Sequence, residues 1–405
     1  MTRNNRGEAG SGERLGCTSS RLTWYFLRLG LVGFGGPVAL ANRMRRDLVE
    51  ERGWLDEVEY DEGLAIATAC PGPLAYQLAV YCGFVRFGLA GALAVAAAFA
   101  VGPFVVVTLA AAAYVRFAAT WQLRALFYGI APVIAALIVK ACWNLGRKTL
   151  KRDRWAWVIG AAVALLTIIY RQELAPAFLV AGVLGIVVFR GARRLPGDGD
   201  APATSVPALR GGAMFGALGA LGAAPTAKLF VFFFKAGLLV FGSGLVIVPF
   251  LKAYVVDQYH WLSDRQFLDS VAIGMITPGP VVITATFVGY LLQGLPGALA
   301  ATSGIFAPPV LFTVVATPLL RRYRENPRLQ GFIRGITSAV VGALIGTTYL
   351  VAQSAVGDLL TTAIAGASLA VVLTWKKVPE PALVLAAGLI GLLTYQWLQP
   401  VWVLR

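Results

Sequence analysis

Residues 88–115 read GLAGALAVAAAFAVGPFVVVTLAAAAYV, with no charge anywhere in the stretch. A helix needs roughly 20 apolar residues to cross a hydrocarbon core of about 30 Å, so this run reads as a membrane span. Its neighbours follow suit. Apolar segments lie near 22–41, 62–84, 88–115, 125–146, 155–170 and 174–190, then near 229–251, 270–292, 296–318, 331–356, 358–374 and 381–399. Composition agrees: 58% hydrophobic and 14% charged residues in a chain of 405 leave more apolar surface than a soluble domain could bury. Spanning backbone must satisfy its own hydrogen bonds, so the expected fold is an all-α polytopic membrane helical bundle.

Charge narrows the partners. The net charge of +15 comes from Lys and Arg in short loops between apolar runs, the distribution expected against membrane lipids rather than nucleic acid. The four cysteines have no paired short spacing, and Cys70, Cys82 and Cys142 fall in or beside apolar segments, so neither a disulfide framework nor a metal site is indicated. Residues 1–20 are polar and predict a disordered cytosolic tail. Residues 21–190 form a first repeat and 229–400 a second. Between them, 191–228 is a linker rich in Pro, Gly and Asp, in which 211–227 is either a thirteenth span or a surface stretch.

The two sets of six segments are related. At an offset of 207, Phe26, Gly30, Leu31, Phe34, Gly35, Val49, Trp54, Leu55, Ala65, Ile66, Pro71, Gly72 and Pro73 meet identical residues at Phe233, Gly237, Leu238, Phe241, Gly242, Val256, Trp261, Leu262, Ala272, Ile273, Pro278, Gly279 and Pro280. The register then slips by one residue and continues, for example at Gly88-Leu89 with Gly294-Leu295. Loop charges give the orientation. Arg147, Lys148, Lys151, Arg152 and Arg154 follow the fourth segment of the first half, whereas the equivalent loop near 353–358 has no Lys or Arg. Before the fourth segment the bias reverses, with Arg321, Arg322, Arg324, Arg328 and Arg334 in the second half. The positive-inside rule therefore predicts two inverted-topology repeats. One loop disagrees: 42–61 carries Arg43, Arg45, Arg46 and Arg52 where a simple crossing count puts the outside, a conflict that a half-crossing first element would remove.

Each half also repeats two helix-breaking motifs, Gly33-Phe34-Gly35-Gly36-Pro37 answered by Phe241-Gly242-Ser243-Gly244, and Cys70-Pro71-Gly72-Pro73 answered by Thr277-Pro278-Gly279-Pro280. Proline deletes a backbone donor and clashes with the preceding turn, and polar groups freed at membrane depth must face protein or water. These breaks mark either a binding site at the midplane or kinked helices packed on neighbours. Half-helices starting at Pro37, Pro73 and Pro280 would aim positive dipole ends and free N–H groups at one point, which suits an oxyanion. Arg28 and Lys235 occupy equivalent positions just before the glycine breaks. They are candidate anion ligands, with snorkelling to the interface as the alternative. Tyr76 and Gln77 in the first half, and Thr284 and Thr286 in the second, could complete hydrogen bonds to an anion or join helices. Trp54 and Trp261 read as interfacial anchors. No metal cluster, Walker loop or nucleophile arrangement is present, so the chain reads as no enzyme and no cofactor is implied.

Phe34-Gly35-Gly36-Pro37, Trp54-Leu55, Pro71-Gly72-Pro73 with Gln77, and the run Gly88-Leu89-Ala90-Gly91-Ala92-Leu93 resemble the chromate transporter (CHR) family, in its long form with two fused domains. The likeness covers residues 22–400. It implies a multi-pass inner-membrane protein that exports chromate and confers chromate resistance, driven by membrane potential or by a coupling proton, with a sulfate-like dianion as competitor. Sulfate uptake and a membrane-embedded enzyme or scaffold are the alternatives, and a homodimer is an open assembly. Leu40 stands where the family often has histidine, Ser243 interrupts the second glycine cluster, and Cys70 replaces a common hydrophobic residue.

Overall fold

The glycine and proline breaks decide how the chain enters the bilayer. The computed structural model describes residues 16–33, 37–70, 72–117, 120–150, 153–170, 175–189, 225–238, 241–242, 247–323, 327–375, 378 and 380–398. Helix α1 (Ser19–Val32) begins at a Thr18 cap, inside the expected tail, and stops at Gly33. Helix α2 (Pro37–Arg45) then runs back along it. The reversal is visible at the open end, where the Tyr25 hydroxyl in α1 donates to Asp47, just past α2, at 3.0 Å. Next, α3 (Glu57–Ala69) starts at a reciprocal Asp56–Glu59 capping box. After the short strand β1 (Gly72–Pro73), the first limb of α4 (Leu74–Phe117) turns back, so that Arg86 reaches Glu59 at 2.8 Å.

The chain turns a third time inside α4. Gly88 sits at φ 61°, ψ −151°, a region open to glycine but strained for other residues. The second limb, 89–117, leaves from this turn and crosses the bundle. Helices α5 (Trp121–Leu150), α6 (Arg154–Tyr170) and α7 (Ala175–Val188) complete the half.

The second half repeats this path. It comprises α8 (Pro225–Leu238), β2 (Phe241–Gly242), α9 (Ile247–Lys252) extended by a π-helical turn Ala253–Gln258, and α10 (Asp264–Ile276). A 3-10 turn Val281–Ile283 leads into α11 (Thr284–Tyr323), followed by α12 (Pro327–Ala355), α13 (Leu359–Thr374) and α14 (Glu380–Leu398). Gly294 repeats the reversal at φ 61°, ψ −147°. The open ends of the hairpins are clamped alike in both halves. Arg45 pairs with Glu57 and, at 3.2 Å, with Asp61. Lys252, 207 residues later, pairs with Asp264 at 3.0 Å and Asp257 at 3.1 Å.

Segments 22–41, 62–84, 229–251 and 270–292, expected as single crossings, are therefore hairpins of two short helices. Among the described residues, the long apolar stretches 74–117 and 281–315 each reverse, at Gly88 and Gly294, so the long apolar crossings run over 89–117, 121–147, 295–315 and 330–353, with shorter apolar helices at 154–170, 176–188, 359–374 and 380–394. The expected alternative span at 211–227 lies outside the described residues. Because the first hairpin returns to the face it started from, the arginines of 42–61 share a face with Asp153 at the start of α6. The charge conflict disappears.

Helix directions show the inversion directly. Helices α5 and α12 are repeat mates, yet Cys142 lies 2.9 Å from Thr348 while a Cβ added at Gly146 would stand 3.6 Å from Val341, so the two run antiparallel. The same α12 runs parallel to α6, with Gly342 on Gly160 and Gly346 on Ala164, and antiparallel to α7, with Gly331 on Gly185 and Gly335 on Ala181. Arg334 on α12 meets Asp153 at 3.6 Å, which puts the first turns of α12 on the same face as the start of α6. The chain is thus a multi-pass membrane bundle of two inverted halves.

Two outcomes test this arrangement. Cysteines placed singly at Glu57 and Asp264, which are repeat mates, label from opposite faces of sealed vesicles with an impermeant maleimide, and labelling from one face contradicts inversion. Gly88→Ala forces a side chain into the strained region and costs about 1–3 kcal/mol, read as a lower melting temperature in detergent.

Candidate functional site

The four hairpin tips meet at the centre of the bundle, and they meet across the halves. β1 of the first half pairs in parallel with β2 of the second, Gly72 opposite Phe241 and Pro73 opposite Gly242. The mate of that contact is a hydrogen bond from the Gly279 N–H to the Gly33 carbonyl, 3.3 Å long. Each Pro-Gly-Pro break is thus bonded to the glycine break of the opposite half. The cause is local: a Pro-Gly-Pro run cannot continue a helix, Gly72 and Gly279 sit at φ 144° and 101°, and peptide groups freed at this depth have no water to bond.

Close packing holds the tips in place. A methyl group on Gly279 would stand 2.5 Å from Cγ of Pro103, in the second limb of α4. Gly30 and Gly237, repeat mates on α1 and α8, press against the carbonyls of Phe99 and Ile305 in the same fashion, a Cβ at either lying 2.5 and 2.7 Å from the oxygen. Tyr76 spans the two halves, its ring 6.1 Å from Phe99 and 4.5 Å from Phe306.

Two polar side chains sit beside the breaks with no solvent exposure, Gln77 and Thr284. The Gln77 amide lies over Gly72, where a methyl group would come 2.5 Å from its Cδ. The Thr284 hydroxyl donates to the Val281 carbonyl at 2.8 Å, and the absence of a side chain at Gly274 leaves room for it. Two residues further along α11, Thr286 shares a hydrogen bond of 2.6 Å with Thr302, a helix-joining contact.

The structure gathers Gly72, Pro73, Gln77, Gly242, Pro278, Gly279, Pro280 and Thr284 at this junction, with Pro37 half-buried at the start of α2. Gly35, Gly36, Pro71, Ser243 and Gly244 lie outside the described residues. Arg28 and Lys235 do not join the junction. Helix phase turns them away: α1 packs through Leu22, Tyr25, Phe26, Leu29 and Gly30, and α8 through Leu229, Phe232, Phe233, Phe234, Ala236 and Gly237, which leaves both cations exposed on the opposite side. Trp54 is buried, which departs from the anchoring role expected of it. It lies under the Arg52 guanidinium at 4.7 Å, and Trp261 packs on Phe232 and Tyr259 at 5.2 and 4.9 Å, closing the hairpin mouths. Phe99, Phe306 and Pro103 join the site unforeseen.

Electrostatics at the tips comes from backbone. None of the described tip residues carries a charged side chain. The N-terminal ends of α2, of the first limb of α4 and of α11 converge here, each equivalent to roughly half a positive charge. Such a cluster of helix starts can hold a small anion without a lysine or arginine.

Comparison with known proteins agrees with a duplicated transporter. The family model described as Chromate transporter matches residues 20–187 and again 227–392. The chromate transport protein of Cupriavidus metallidurans is 43% identical over 378 residues, covering 93% of this chain and 94% of that protein. The probable chromate transport protein of Synechococcus elongatus is 38% identical, covering 92% and 95%. The chromate transport protein of Pseudomonas aeruginosa is 34% identical, covering 91% of each. No solved structure matches the chain.

The cross-half pairing predicts a crosslink. Paired strands run about 4.8 Å apart, inside the Cα range of about 4.4–6.8 Å that a disulfide tolerates. Pro73→Cys with Gly242→Cys therefore keeps the halves joined on a non-reducing gel after proteolysis within 190–224. Separation of the fragments contradicts the pairing.

Proposed function

The chain belongs to the chromate transporter family, in the long form with two fused homologous halves, and from that premise we propose that it exports chromate from the cytoplasm across the inner membrane, conferring chromate resistance. The observation that carries the reading is the meeting of four broken elements across two inverted halves, which is the usual construction of a transporter site near the midplane. The tetrahedral dianion is held by the helix starts at the tips, with the Gln77 amide as a side-chain donor and the Thr284 hydroxyl turning from the Val281 carbonyl to donate to the anion. Rocking one half against the other about this junction exposes the anion to alternate faces. The Lys- and Arg-rich face, with 42–61 and 147–154, is the cytoplasmic one.

Direction follows from charge. Moving one elementary charge through 100 mV is worth about 2.3 kcal/mol, so an outgoing dianion gains about 4.6 kcal/mol from an inside-negative potential. At 1.4 kcal/mol per factor of ten, that supports a gradient on the order of a thousandfold without ATP. Sulfate has the same charge and shape and competes.

Inverted membrane vesicles carrying the protein accumulate labelled chromate when energised, and excess sulfate slows the uptake. One hydrogen bond to a charged ligand is worth about 1.5–3 kcal/mol, so Gln77→Ala weakens apparent chromate affinity by about tenfold or more. Vesicles that accumulate no chromate, or a Gln77→Ala protein with wild-type affinity, overturn the assignment.

A further inference from the structure

Asp269 is a carboxylate that the anion site does not use. It lies in the second turn of α10, 2% exposed, and accepts a hydrogen bond of 2.6 Å from the hydroxyl of Tyr114 near the far end of α4. That bond joins the halves, because α4 belongs to the first and α10 to the second. Arg265, one turn earlier on α10 and partly exposed, approaches the same carboxylate oxygen at 3.9 Å. Tyr114 is held edge-on between Phe127 of α5 and Phe287 of α11, with centroid distances of 5.9 and 5.3 Å. The charged and titratable groups that meet the Asp269 carboxylate are Tyr114 from α4 and Arg265 from its own helix, and on α5 Arg124 stands one turn before the Phe127 that packs on Tyr114.

The repeat mate of Asp269 is Glu62 (62 + 207), and it is wired differently. Glu62 accepts from Tyr81 at 3.1 Å, and Tyr81 belongs to the same hairpin. The bond between Tyr81 and Glu62 lies within one hairpin, whereas the bond between Tyr114 and Asp269 ties a hairpin to the other half. A buried carboxylate that bridges two moving bodies holds them more firmly when ionised, since a charge-assisted hydrogen bond is roughly twice as strong as a neutral one. From Asp269, about two helical turns of α10 lead to the Pro278-Gly279-Pro280 tip.

We propose that Asp269 is a proton-binding site that couples proton entry from the external face to release of the anion, a reading that rests on the transport function above. The ionised carboxylate keeps α10 locked to Tyr114 and the junction closed to that face. A proton arriving past Arg265 converts the carboxylate to the acid. The bond from Tyr114 weakens, and the α10–α11 hairpin swings away from α4. The proton leaves when the opposite conformation is reached, so one proton enters as the anion departs.

Two measurements on purified protein test this, one independent of transport. Infrared difference spectra between neutral and acid pH show a carboxylic-acid band in the wild type that is missing in Asp269→Asn and shifted in Asp269→Glu. In proteoliposomes, acidifying the face bearing Asp264 accelerates chromate exchange in the wild type. Asp269→Asn flattens that pH profile, Asp269→Glu keeps it, and Tyr114→Phe displaces it along the pH axis. Wild-type spectra in Asp269→Asn, or unchanged profiles in both Asp269→Asn and Tyr114→Phe, overturn the proposal. Absence of chromate exchange in the wild type at any pH counts against the transport reading instead, while the spectra still decide the proton site.

Discussion

A peptide group at membrane depth has no water to bond, and leaving it unsatisfied costs several kcal/mol. The fold is organised around that constraint. Four times the chain breaks a helix inside the apolar region, and the described breaks find partners in the opposite half, through the parallel pairing of Gly72–Pro73 with Phe241–Gly242 and the bond from Gly279 to Gly33. Both of these pairings cross from one half to the other. The junction therefore holds the halves together and also concentrates helix starts and glycine backbone where an anion can be bound.

Around the junction the helices have little hydrophobic drive toward one another, since lipid tails are as apolar as leucine. Close approach of small residues takes its place: Gly129 on Ala387, Gly342 on Gly160, Gly335 on Ala181. Each of these contacts joins the two halves, so the crossing helices form one scaffold while the hairpins carry the breaks. The halves are not equivalent in their ionic detail. Arg45 and Lys252 clamp matching mouths, yet Glu62 bonds within its own hairpin and Asp269 bonds across the bundle. An inverted repeat with unlike carboxylates on its two faces has a built-in difference between inside and outside.

The hairpins were hidden from a reading by length. Two short helices and the break between them make an apolar run of 20 or so residues, the same length as a single crossing. The arginines of 42–61 were the one sign that the run turned back, because a true crossing would have put them on the wrong face. Arg28 and Lys235 failed for a different reason. Their equivalence at an offset of 207 is real, but the direction in which a side chain points depends on which stripe of its helix is packed. The short buried faces of α1 and α8 turn both cations outward.

Composition and spacing by themselves determined that this chain lives in a membrane, that it is a duplication, that the halves are inverted, and that Gly and Pro interrupt equivalent segments. Those are properties of local covalent chemistry and of charge distribution, which a string of residues carries in full. Only the tertiary structure decided where each break finds its hydrogen-bond partners, that Phe99 and Phe306 hold Tyr76 between them, and that Asp269 meets Tyr114, 155 residues away in the chain. Such partnerships depend on how one half lies against the other, and the small residues that set that approach have no chemistry of their own to announce it.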